Sequence, residues 1–549
     1  MPSCSQCQKS FEITSREAAL FKKFGFESNG LCFECDQKAR ICFRNGRKLY
    51  NRKCDATGEQ IISCYSPDKP YKVFRNDIWW GDTWDARDYA RDFDFFRPFF
   101  DQFLELQLSV PRMALSNANN ENSEFCNMTV YNKNCYLVFG GDYNEDVQYG
   151  DLCFHNRDSF DLDQSNENEQ CYFLSDSTKC YGCQFVFDSK NCDHCYYLSD
   201  CSSCSECILC AGLSQKSYCI LNKQYSKEEY MEKKNALITG SHKQRSENWK
   251  NFLGLLGNRI VKFAHQVGCE NCTGDYIYNS KNCQNCFEVS NGEDLYDVIL
   301  SPDAKDLFQC SFIGHHSELC YQVQSSVKAT NCQFLYLGSE SSDIAYSEAI
   351  FSCHDCFGCV CLKHKNHCIF NKQYSKEDYG KLKTQIVEHM KKTGEWGKFF
   401  PHNISCFGYN ESTVNDYFPM TKDEALSQGF KWCNYPEIKP KSDRTISSDN
   451  LPDSILEITD DILNSAIECE KSKRLFKITP QELKFYRKNN LPIPRLHSDE
   501  RHNQRADLRN PRKLFPRACA KCAKPLQSTY PPDRPETIYC EQCYQQAIY

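Results

Sequence analysis

Short apolar strings alternate with small polar turns through the middle of the chain. Strings such as CYFL, CQFVF, CYYL and CQFLYL are separated by turns such as NSKN, DSKN and SDCS. Such strings, bounded by Asn, Asp or Ser, predict short β-strands. Cysteines at 183, 192, 201, 210 and 219 recur every nine residues, and a short regular period of strands is typical of a β-solenoid. Two nine-residue units predict coils of about 18 residues.

The strand-rich middle is duplicated at an offset of 149 residues. The segment CILNKQYSKEEY at 219–230 returns as CIFNKQYSKEDY at 368–379. In each copy a serine is followed three residues later by an acidic residue, which predicts a helix that begins just after Ser226 and just after Ser375. We therefore expect two solenoid halves, each of which ends in helices, and a further short helix over 421–429.

A second repeat joins the two ends of the chain. Residues 4–74 align with 469–539 at a constant offset of 465, so that RNGRKLYNRKC returns as RNPRKLFPRAC. The fold class predicted is mainly β, a duplicated cysteine-rich β-solenoid with helical insertions between two small zinc-binding modules. The predicted units are an N-terminal zinc module, an aromatic cap or joint, two solenoid halves, a linker with a short helix and a C-terminal zinc module: 1–80, 81–123, 124–265, 266–432, 433–468 and 469–549.

Each terminal module carries one set of four cysteines with the spacing of a zinc site. Two close CxxC pairs can close a tetrahedron of thiolates around zinc without straining the chain. The two predicted zinc sites comprise Cys4, Cys7, Cys32 and Cys35, and Cys519, Cys522, Cys540 and Cys543.

The repeat shows that each module has lost the site that the other kept. The positions of the first set are occupied in the second copy by Cys469, Ser472, His497 and Glu500. Cys469, His497 and Glu500 are therefore weak candidates for a metal site, although decay is the simpler interpretation. The positions of the second set are occupied in the first copy by Cys54, Thr57, Arg75 and Ile78, which cannot close a tetrahedron.

The chain contains 39 cysteines in 549 residues, far more than two zinc sites use. Those of the middle are interpreted as buried ladders of small side chains, with additional metal binding and redox disulfides as alternatives. The start, MPSCSQCQKSFEI, has no apolar core of a signal peptide, and no apolar run is long enough to cross a membrane. We therefore expect a cytoplasmic protein with reduced thiols and no membrane partner.

Charge is distributed unevenly along the chain. Residues 1–80 carry a net charge of +5 and residues 469–549 a net charge of +9, whereas the middle carries −21. Two basic runs follow the second ligand pair of each module or its remnant, and each is predicted to form one face of a helix. They comprise Arg40, Arg44, Arg47 and Lys48, and Arg501, Arg505, Arg509, Arg512 and Lys513.

Arginine clusters of this kind suit phosphate groups, so RNA or a ribonucleoprotein is the first partner expected. An acidic protein surface and internal pairing with the acidic middle remain alternatives. No HExxH, GxSxG, Walker or dinucleotide motif is present. The acidic residues between Asp142 and Asp163 are interpreted as a solvated loop.

Several motifs resemble an uncharacterised family of cysteine-rich bacterial proteins with terminal zinc-ribbon or treble-clef modules. They are NRKCDATGEQIISCYSPDKPYKV, ALSNANNENSEFCN, NCTGDYIYNSKNC, NKQYSKEEY and MKKTGEWGKFFP. The resemblance implies an intracellular, zinc-binding, non-enzymatic protein and no established activity.

The sequence thus predicts a non-enzymatic zinc scaffold whose basic modules bind RNA or a ribosome-like surface. A protein-assembly scaffold without nucleic acid is the alternative. A metal-redox or carbohydrate-acting β-helix enzyme is the third possibility.

Overall fold

The computed structural model describes residues 1–257, 259–442 and 444–548 of the chain. Strands account for 32% and helices for 25% of it, so the prediction of a strand-rich protein with helical insertions is confirmed. The proposed domain boundaries stay predictions. The α-helices are Ser15–Phe24, Phe33–Ile41, Asn76–Trp80, Phe99–Ser109, Lys227–Leu237, His242–Gly257, Lys376–Thr393, Val414–Tyr417, Lys422–Ser427, Pro480–Lys488, Ser498–Ala506 and Glu541–Ile548.

The first copy of the duplicated middle forms a nine-stranded sheet in which eight strands are parallel. We call it the first parallel sheet. Its strands are Tyr136–Phe139, Glu145–Asp151, Arg157–Asp163, Tyr172–Ser175, Gln184–Phe187, Tyr196–Ser199, Ser205–Ala211, Ser217–Ile220 and the antiparallel Lys223–Gln224. Neighbouring parallel strands pair at an offset of twelve residues, as in Tyr172 with Gln184 and Gln184 with Tyr196. The expected 18-residue coil is therefore wrong, because twelve residues separate equivalent positions.

The backbone changes direction every third residue. From Tyr143 to Leu221 every third residue has a positive φ, and only Gly182 and Gly212 in this series are glycines. A left-handed residue costs a non-glycine side chain roughly 1–2 kcal/mol, so the surrounding hydrogen bonds must hold these corners. Four corners fall within each twelve-residue step, and between the corners the chain is extended.

The residue after each corner points inward, which explains the spacing of the cysteines. Cys180, Cys192 and Cys204 lie at one position of successive steps, twelve residues apart, and are buried. The Sγ of Cys183 donates to the carbonyl oxygens of Tyr181 and Cys192, both at 3.4 Å. Residues nine apart are thus joined by a thiol–carbonyl hydrogen bond between successive steps. Cysteine suits these positions because its side chain is small and its S–H is a weak donor.

A second inward column consists of asparagines. Asn132, Asn144, Asn156 and Asn168 are buried and twelve residues apart. The Oδ1 of each accepts from the backbone N–H of the inward residue one step later, at 3.0 Å between Asn156 and Asn144. Each side-chain nitrogen donates to a carbonyl nine residues ahead, as from Asn144 to Cys153 at 2.9 Å. The amide ladder therefore satisfies polar groups that burial would otherwise leave unpaired.

The second copy of the duplicated middle forms a twelve-stranded, mostly parallel sheet. We call it the second parallel sheet. Its register varies more, with eleven residues between Gln266 and Ile277 and thirteen between Ser311 and Gln324. Its strands are Gln266–Val267, Gly274–Tyr278, Cys286–Ser290, Ile299–Pro302, Ala304–Phe308, Ser311–Gly314, Ser317–Tyr321, Gln324–Thr330, Gln333–Phe351, His354–Phe357, Asn366–Ile369 and Lys372–Gln373.

Helices follow both sheets where the serine motifs predict them. The Ser226 side chain accepts from the N–H of Glu229, and the Ser375 side chain accepts from the N–H of Asp378. The short helix Lys422–Ser427 also begins as expected, with Thr421 as its N-cap. These side chains satisfy amides that the first turn of a helix leaves free.

The aromatic segment after the N-terminal module packs on the second parallel sheet. The Phe99 ring lies 5.3–5.6 Å from the rings of Tyr346, Phe357 and Phe370. Phe96, in the turn before this helix, is 98% exposed. The segment thus covers part of the sheet and leaves one phenylalanine in solvent.

Short strands complete the fold. The predicted linker contains the strand Arg444–Ser447, which pairs in parallel with Ser465–Glu468, so part of it is ordered in a sheet. The remaining short strands are Tyr50–Lys53, Gln60–Ser63, Val73–Phe74, Arg112–Met113, Asn117–Ala118, Thr129–Val130, Ile260–Lys262, Leu475–Phe476, Phe515–Ala518, Pro525–Ser528 and Thr537–Tyr539.

One helix of each terminal module, Ser15–Phe24 or Pro480–Lys488, packs on the sheet that lies farther from the module along the chain. In the N-terminal module, the Phe21 ring is 4.9 Å from that of Phe308 in the second sheet. In the C-terminal module, the Phe485 ring is 4.1 Å from that of Phe160 in the first sheet. This crossed packing brings the basic modules against the acidic middle.

Thiol labelling tests the burial of the inward cysteines. Between Cys126 and Cys368 only Cys269 and Cys272 are partly exposed, and the other cysteines are buried. Burial raises the pKa of Cys310 to about 12, which suppresses the reactive thiolate. We expect a thiol reagent to modify at most Cys269 and Cys272 of this set in the native protein and all of the set after denaturation. Mass spectrometry that finds extensive native labelling or disulfides in this region would contradict this packing.

Candidate metal centres

The N-terminal cysteine set converges as the sequence predicts. The sulfur atoms of Cys4, Cys7, Cys32 and Cys35 all lie within 4.8 Å of one another. Cys4 and Cys7 lie on a tight turn, whereas Cys32 is the N-cap of the helix Phe33–Ile41 and Cys35 lies in its first turn. Four sulfur donors brought together from a turn and a helix start fit a tetrahedral zinc site.

The C-terminal set has the same arrangement. Cys519 and Cys522 lie on the turn of the hairpin Phe515–Ala518 with Pro525–Ser528, and Cys540 precedes the helix Glu541–Ile548. The sulfur atoms of this set, which includes Cys543, also lie within 4.8 Å of one another. The two predicted tetrads are therefore present as clusters that can hold metal.

The environment of each cluster favours the thiolate form at one of its four cysteines. Burial raises the pKa of Cys4, but hydrogen bonds from backbone N–H groups outweigh it and bring the pKa to about 6. The same balance brings the pKa of Cys519 to about 6. Burial and the neighbouring sulfur atoms raise the pKa of Cys35. Without a cation, a second thiolate beside the first is unfavourable because the two negative charges repel each other. A bound divalent metal supplies that cation.

The lost sites keep the backbone geometry without the ligands. The Sγ of Cys54 accepts from the N–H of Arg75 at 3.3 Å, just as the Sγ of Cys519 accepts from the N–H of Cys540 at 3.3 Å. In the C-terminal module the Sγ of Cys469 accepts from the N–H of His497 at 3.2 Å. A cysteine thus still stabilises each loop by accepting a hydrogen bond.

The weak candidates Cys469, His497 and Glu500 do not form a metal site in the described part of the chain. His497 Nδ1 accepts from the N–H of Asp499 at 3.1 Å and caps the helix Ser498–Ala506. Glu500 forms an ion pair with Lys471 at 3.0 Å. Two of the three side chains are thus engaged elsewhere, and no group of metal-ligand atoms among the described residues includes them.

The basic runs do not form the predicted helix faces. The first helix ends at Ile41, before Arg44, Arg47 and Lys48. The second ends at Ala506, before Arg509, Arg512 and Lys513. The Asn45–Gly46 pair in one copy and Asn510–Pro511 in the other follow four residues after these ends, where glycine and proline disfavour any continuation of the helix.

The arginines of the C-terminal run form internal ion pairs with the first parallel sheet and the second. Arg501 Nε contacts Asp161 at 2.8 Å, and Arg505 contacts Asp161 at 3.0 Å and Asp163 at 2.8 Å. Arg509 contacts Asp176 and Glu288, both at 2.6 Å, and Arg512 also pairs with Glu288. Internal pairing, one of the three alternatives that the sequence left open, therefore describes these residues.

The electrostatic balance of these pairs depends on how many arginines each carboxylate meets. Burial raises the pKa of Glu288, but Arg512 and Arg509 outweigh it and bring the pKa to about 2. Burial dominates at Asp176, which shares Arg509, and raises its pKa to about 6. Glu288 is thus the carboxylate that two arginines of the run share.

The basic residues of the N-terminal run also contact other residues of the chain. Arg40 pairs with Asp36 inside its own helix, and Arg44 Nη1 donates to Ser325 Oγ at 2.7 Å. Arg47 contacts Asp151 at 3.1 Å and Asp499 at 3.3 Å, and Lys48 contacts Asp499 at 3.1 Å and Glu437 at 3.7 Å. Lys513 is exposed at the surface.

The predicted acidic loop is wrong in its secondary structure. Asp151 and Asp163 end the strands Glu145–Asp151 and Arg157–Asp163. With His502 they form a compact group, in which His502 Nδ1 lies 2.9 Å from Asp163. Arg47 and Arg505 contact the same two carboxylates, so this group is a set of ion pairs between modules. The ligand atoms of these three residues lie within 4.8 Å of one another, as in a metal site, and the two carboxylates also contact arginine.

Comparison with known proteins leaves the family open. No family model and no curated protein matches the chain. A solved structure from Desulfovibrio desulfuricans G20, whose description names an acetyltransferase, is 9% identical and aligns with 48% of this chain and 68% of its own, at a TM-score of 0.10. A similarity at that score carries no argument. Among the described residues, every helix is too short or too polar to span a bilayer.

Proposed function

We propose that the protein is a non-catalytic, zinc-bound scaffold that assembles protein partners. The observation that carries the proposal is the crossed packing of the two cysteine-tetrad modules on the parallel sheets, with Phe485 on Phe160 at one end and Phe21 on Phe308 at the other. Zinc would hold each module in its fold. The 39 cysteines, none of them paired, suit a reducing cytoplasm.

The proposal includes a closed β-solenoid with twelve-residue coils as the body of the scaffold. Bridges at an offset of twelve connect residues outside the main strands, for example Lys190 with Ser202 and Asn166 with Thr178. Outward Lys and Glu side chains pair at the same offset, as in Lys328 with Glu340 at 2.8 Å. These contacts support more than one wall per coil, and a long rigid solenoid would offer an extended binding surface.

Binding of RNA or a ribonucleoprotein by the basic runs is the less favoured proposal. Arg505 is 1% exposed and both of its carboxylate partners are buried. A phosphate would have to displace these carboxylates from a buried site, where an unpaired charge is costly. Only Lys513 of the C-terminal run is fully at the surface.

Enzymatic activity is not part of the proposal. The acids that a carbohydrate-acting β-helix enzyme would use are engaged by arginine, as Asp161 is by Arg501 and Arg505. The inward thiols of the middle donate to backbone carbonyls, as Cys183 does.

The exposed Phe96 supports a contact with another protein. Phe96 is 98% exposed, so folding of the chain leaves almost all of its apolar surface in water. Aromatic side chains are enriched at the centres of protein interfaces. The neighbouring Phe95 is also partly exposed, and its ring lies 5.9 Å from that of His389.

Affinity purification from native lysate tests the scaffold proposal. We expect the tagged full-length chain to retain the same protein partners after RNase treatment, and Phe96→Ser to weaken that capture at least about tenfold, as loss of an interface hot spot does. The matched control is Leu456→Ser, because Leu456 is 86% exposed on another part of the surface. Loss of the partners on RNase treatment would favour a ribonucleoprotein, and equal capture by both variants would exclude the Phe96 contact.

A further inference from the structure

Two histidines and one aspartate meet at a solvent-facing corner of the second parallel sheet. The ligand atoms of His354, Asp355 and His367 all lie within 4.8 Å of one another. His354 Nδ1 is 3.1 Å from Asp355 Oδ2, and His367 Nε2 is 3.6 Å from the same oxygen. We propose that these three residues form a third metal site, which takes a divalent transition ion.

The twelve-residue repeat builds this site. Asp355 and His367 are one step apart and both have positive φ, at 51° and 50°, so the two side chains leave the same corner of successive steps. His354 precedes Asp355 and lies next to Asn366 in the register of the strands. The backbone therefore holds the three ligands together before any metal is bound.

The geometry fits a metal bound by nitrogen and oxygen. Metal–ligand bonds of about 2.0–2.2 Å place adjacent ligand atoms about 2.8–3.6 Å apart in an octahedral or tetrahedral site, and the two histidine nitrogens lie 3.1 and 3.6 Å from Asp355 Oδ2. Two imidazoles and one carboxylate suit borderline ions such as Zn²⁺ or Ni²⁺ and leave coordination positions open. The side chains of His354 and Asp355 are 49% and 38% exposed, so water or another molecule's side chain can reach those positions.

A neighbouring amide orients one of the ligands. Asn366 Nδ2 lies 3.2 Å from His354 Nε2, the ring nitrogen that faces away from Asp355. With a metal on Nδ1 the ring carries its proton on Nε2, so the Asn366 amide must turn its oxygen towards that N–H and give up the 2.9 Å hydrogen bond that Oδ1 accepts from Gln373.

The first copy of the duplicated middle shows what this corner looks like without a metal site. At the offset of 149, the positions of His354, Asp355 and His367 are occupied by Ser205, Glu206 and Tyr218. There Lys234 neutralises Glu206 at 2.7 Å, and Ser205 pairs with Ser217 through their hydroxyls at 2.7 Å. The same fold thus accepts residues that cannot hold a metal, so the two histidines are not required by the fold.

A nickel titration of the full-length chain tests the site. We expect the parent to bind one Ni²⁺ in isothermal titration calorimetry while its zinc content, measured by elemental analysis, stays constant. The double variant His354→Ser with His367→Tyr carries the residues of the first repeat, so it is expected to fold and to bind that Ni²⁺ at least about tenfold more weakly. Constant zinc content separates this site from the two cysteine tetrads.

The matched control is His194→Ser. His194 also contacts an adjacent aspartate, with 2.9 Å from Nδ1 to Asp193, and it is similarly exposed, but no second histidine among the described residues completes a metal-ligand group with it. This variant is expected to bind Ni²⁺ like the parent. Equal affinity in the double variant and the parent, or uptake of Ni²⁺ only in exchange for zinc, would overturn the proposal.

Discussion

Replacing Arg505 with methionine is expected to lower the free energy of unfolding by about 3–5 kcal/mol. Arg505 is 1% exposed and contacts two buried carboxylates, Asp161 at 3.0 Å and Asp163 at 2.8 Å. Methionine keeps much of the apolar stem but removes the charge. Asp161 then keeps only the contact with Arg501, and Asp163 keeps that with His502. Guanidinium denaturation followed by circular dichroism measures the loss.

The control for this prediction lies in the same module. Arg487 pairs with Asp460 at 2.7 Å, but the two side chains are 41% and 78% exposed, and exposed ion pairs contribute at most about 1 kcal/mol. Arg487→Met should therefore cost much less than Arg505→Met. If the two variants unfold alike, the buried pairs do not hold the module. If Arg505→Met retains its stability but loses affinity for RNA, phosphate binding replaces internal pairing as the role of this arginine.

The cysteine tetrads could be predicted from the sequence because their chemistry is local. A CxxC pair fixes two sulfur atoms on one turn, and a second pair at the start of a helix supplies the rest, as Cys32 and Cys35 do. The repeat at an offset of 465 also identifies the loops that kept one cysteine, Cys54 and Cys469, without a site. Neither inference needs knowledge of long-range packing.

The twelve-residue step between paired strands does not follow from the cysteines alone. Cysteine occupies several of the four inward positions, so its spacings of three and nine mix neighbouring columns and lead to the wrong period. The asparagines carry the true period, since Asn132, Asn144, Asn156 and Asn168 occupy one column at steps of twelve. A residue that stacks on its own kind through side-chain hydrogen bonds marks the step more clearly than one that only fills space.

The partners of the basic runs could not be predicted from the sequence. Arg501 and Asp161 are 340 residues apart, and Asp161 lies in a stretch whose composition is typical of a polar loop. The surplus of negative charge in the middle and of positive charge at the ends is visible in the sequence, but it fits an external partner equally well. The packing of the modules shows which carboxylates these arginines contact within the chain.

Replacing Cys519 with serine is expected to reduce the zinc content from two ions per chain to one. Cys519 belongs to the C-terminal tetrad, and structural zinc in small modules binds with about 10–16 kcal/mol, which is also their folding free energy. Loss of that site should release the hairpin Phe515–Ala518 with Pro525–Ser528 and the strand Thr537–Tyr539 that pairs with Ile260–Lys262. Elemental analysis after dialysis against a weak chelator measures the zinc, and hydrogen exchange locates the lost protection.

The control is Cys54→Ser, at the equivalent position of the other module. Cys54 is equally buried, and its Sγ accepts a backbone hydrogen bond at the same 3.3 Å as that of Cys519, but Thr57 and Arg75 stand where ligands would be needed. This variant should keep both zinc ions, because its cysteine stabilises a loop and binds no metal. Zinc loss from Cys54→Ser, iron as the main metal of the parent, or no metal at all would contradict the assignment of one zinc to each tetrad. Since the two variants differ in the ligands around an otherwise shared sulfur environment, the comparison separates metal binding from the burial of a thiol.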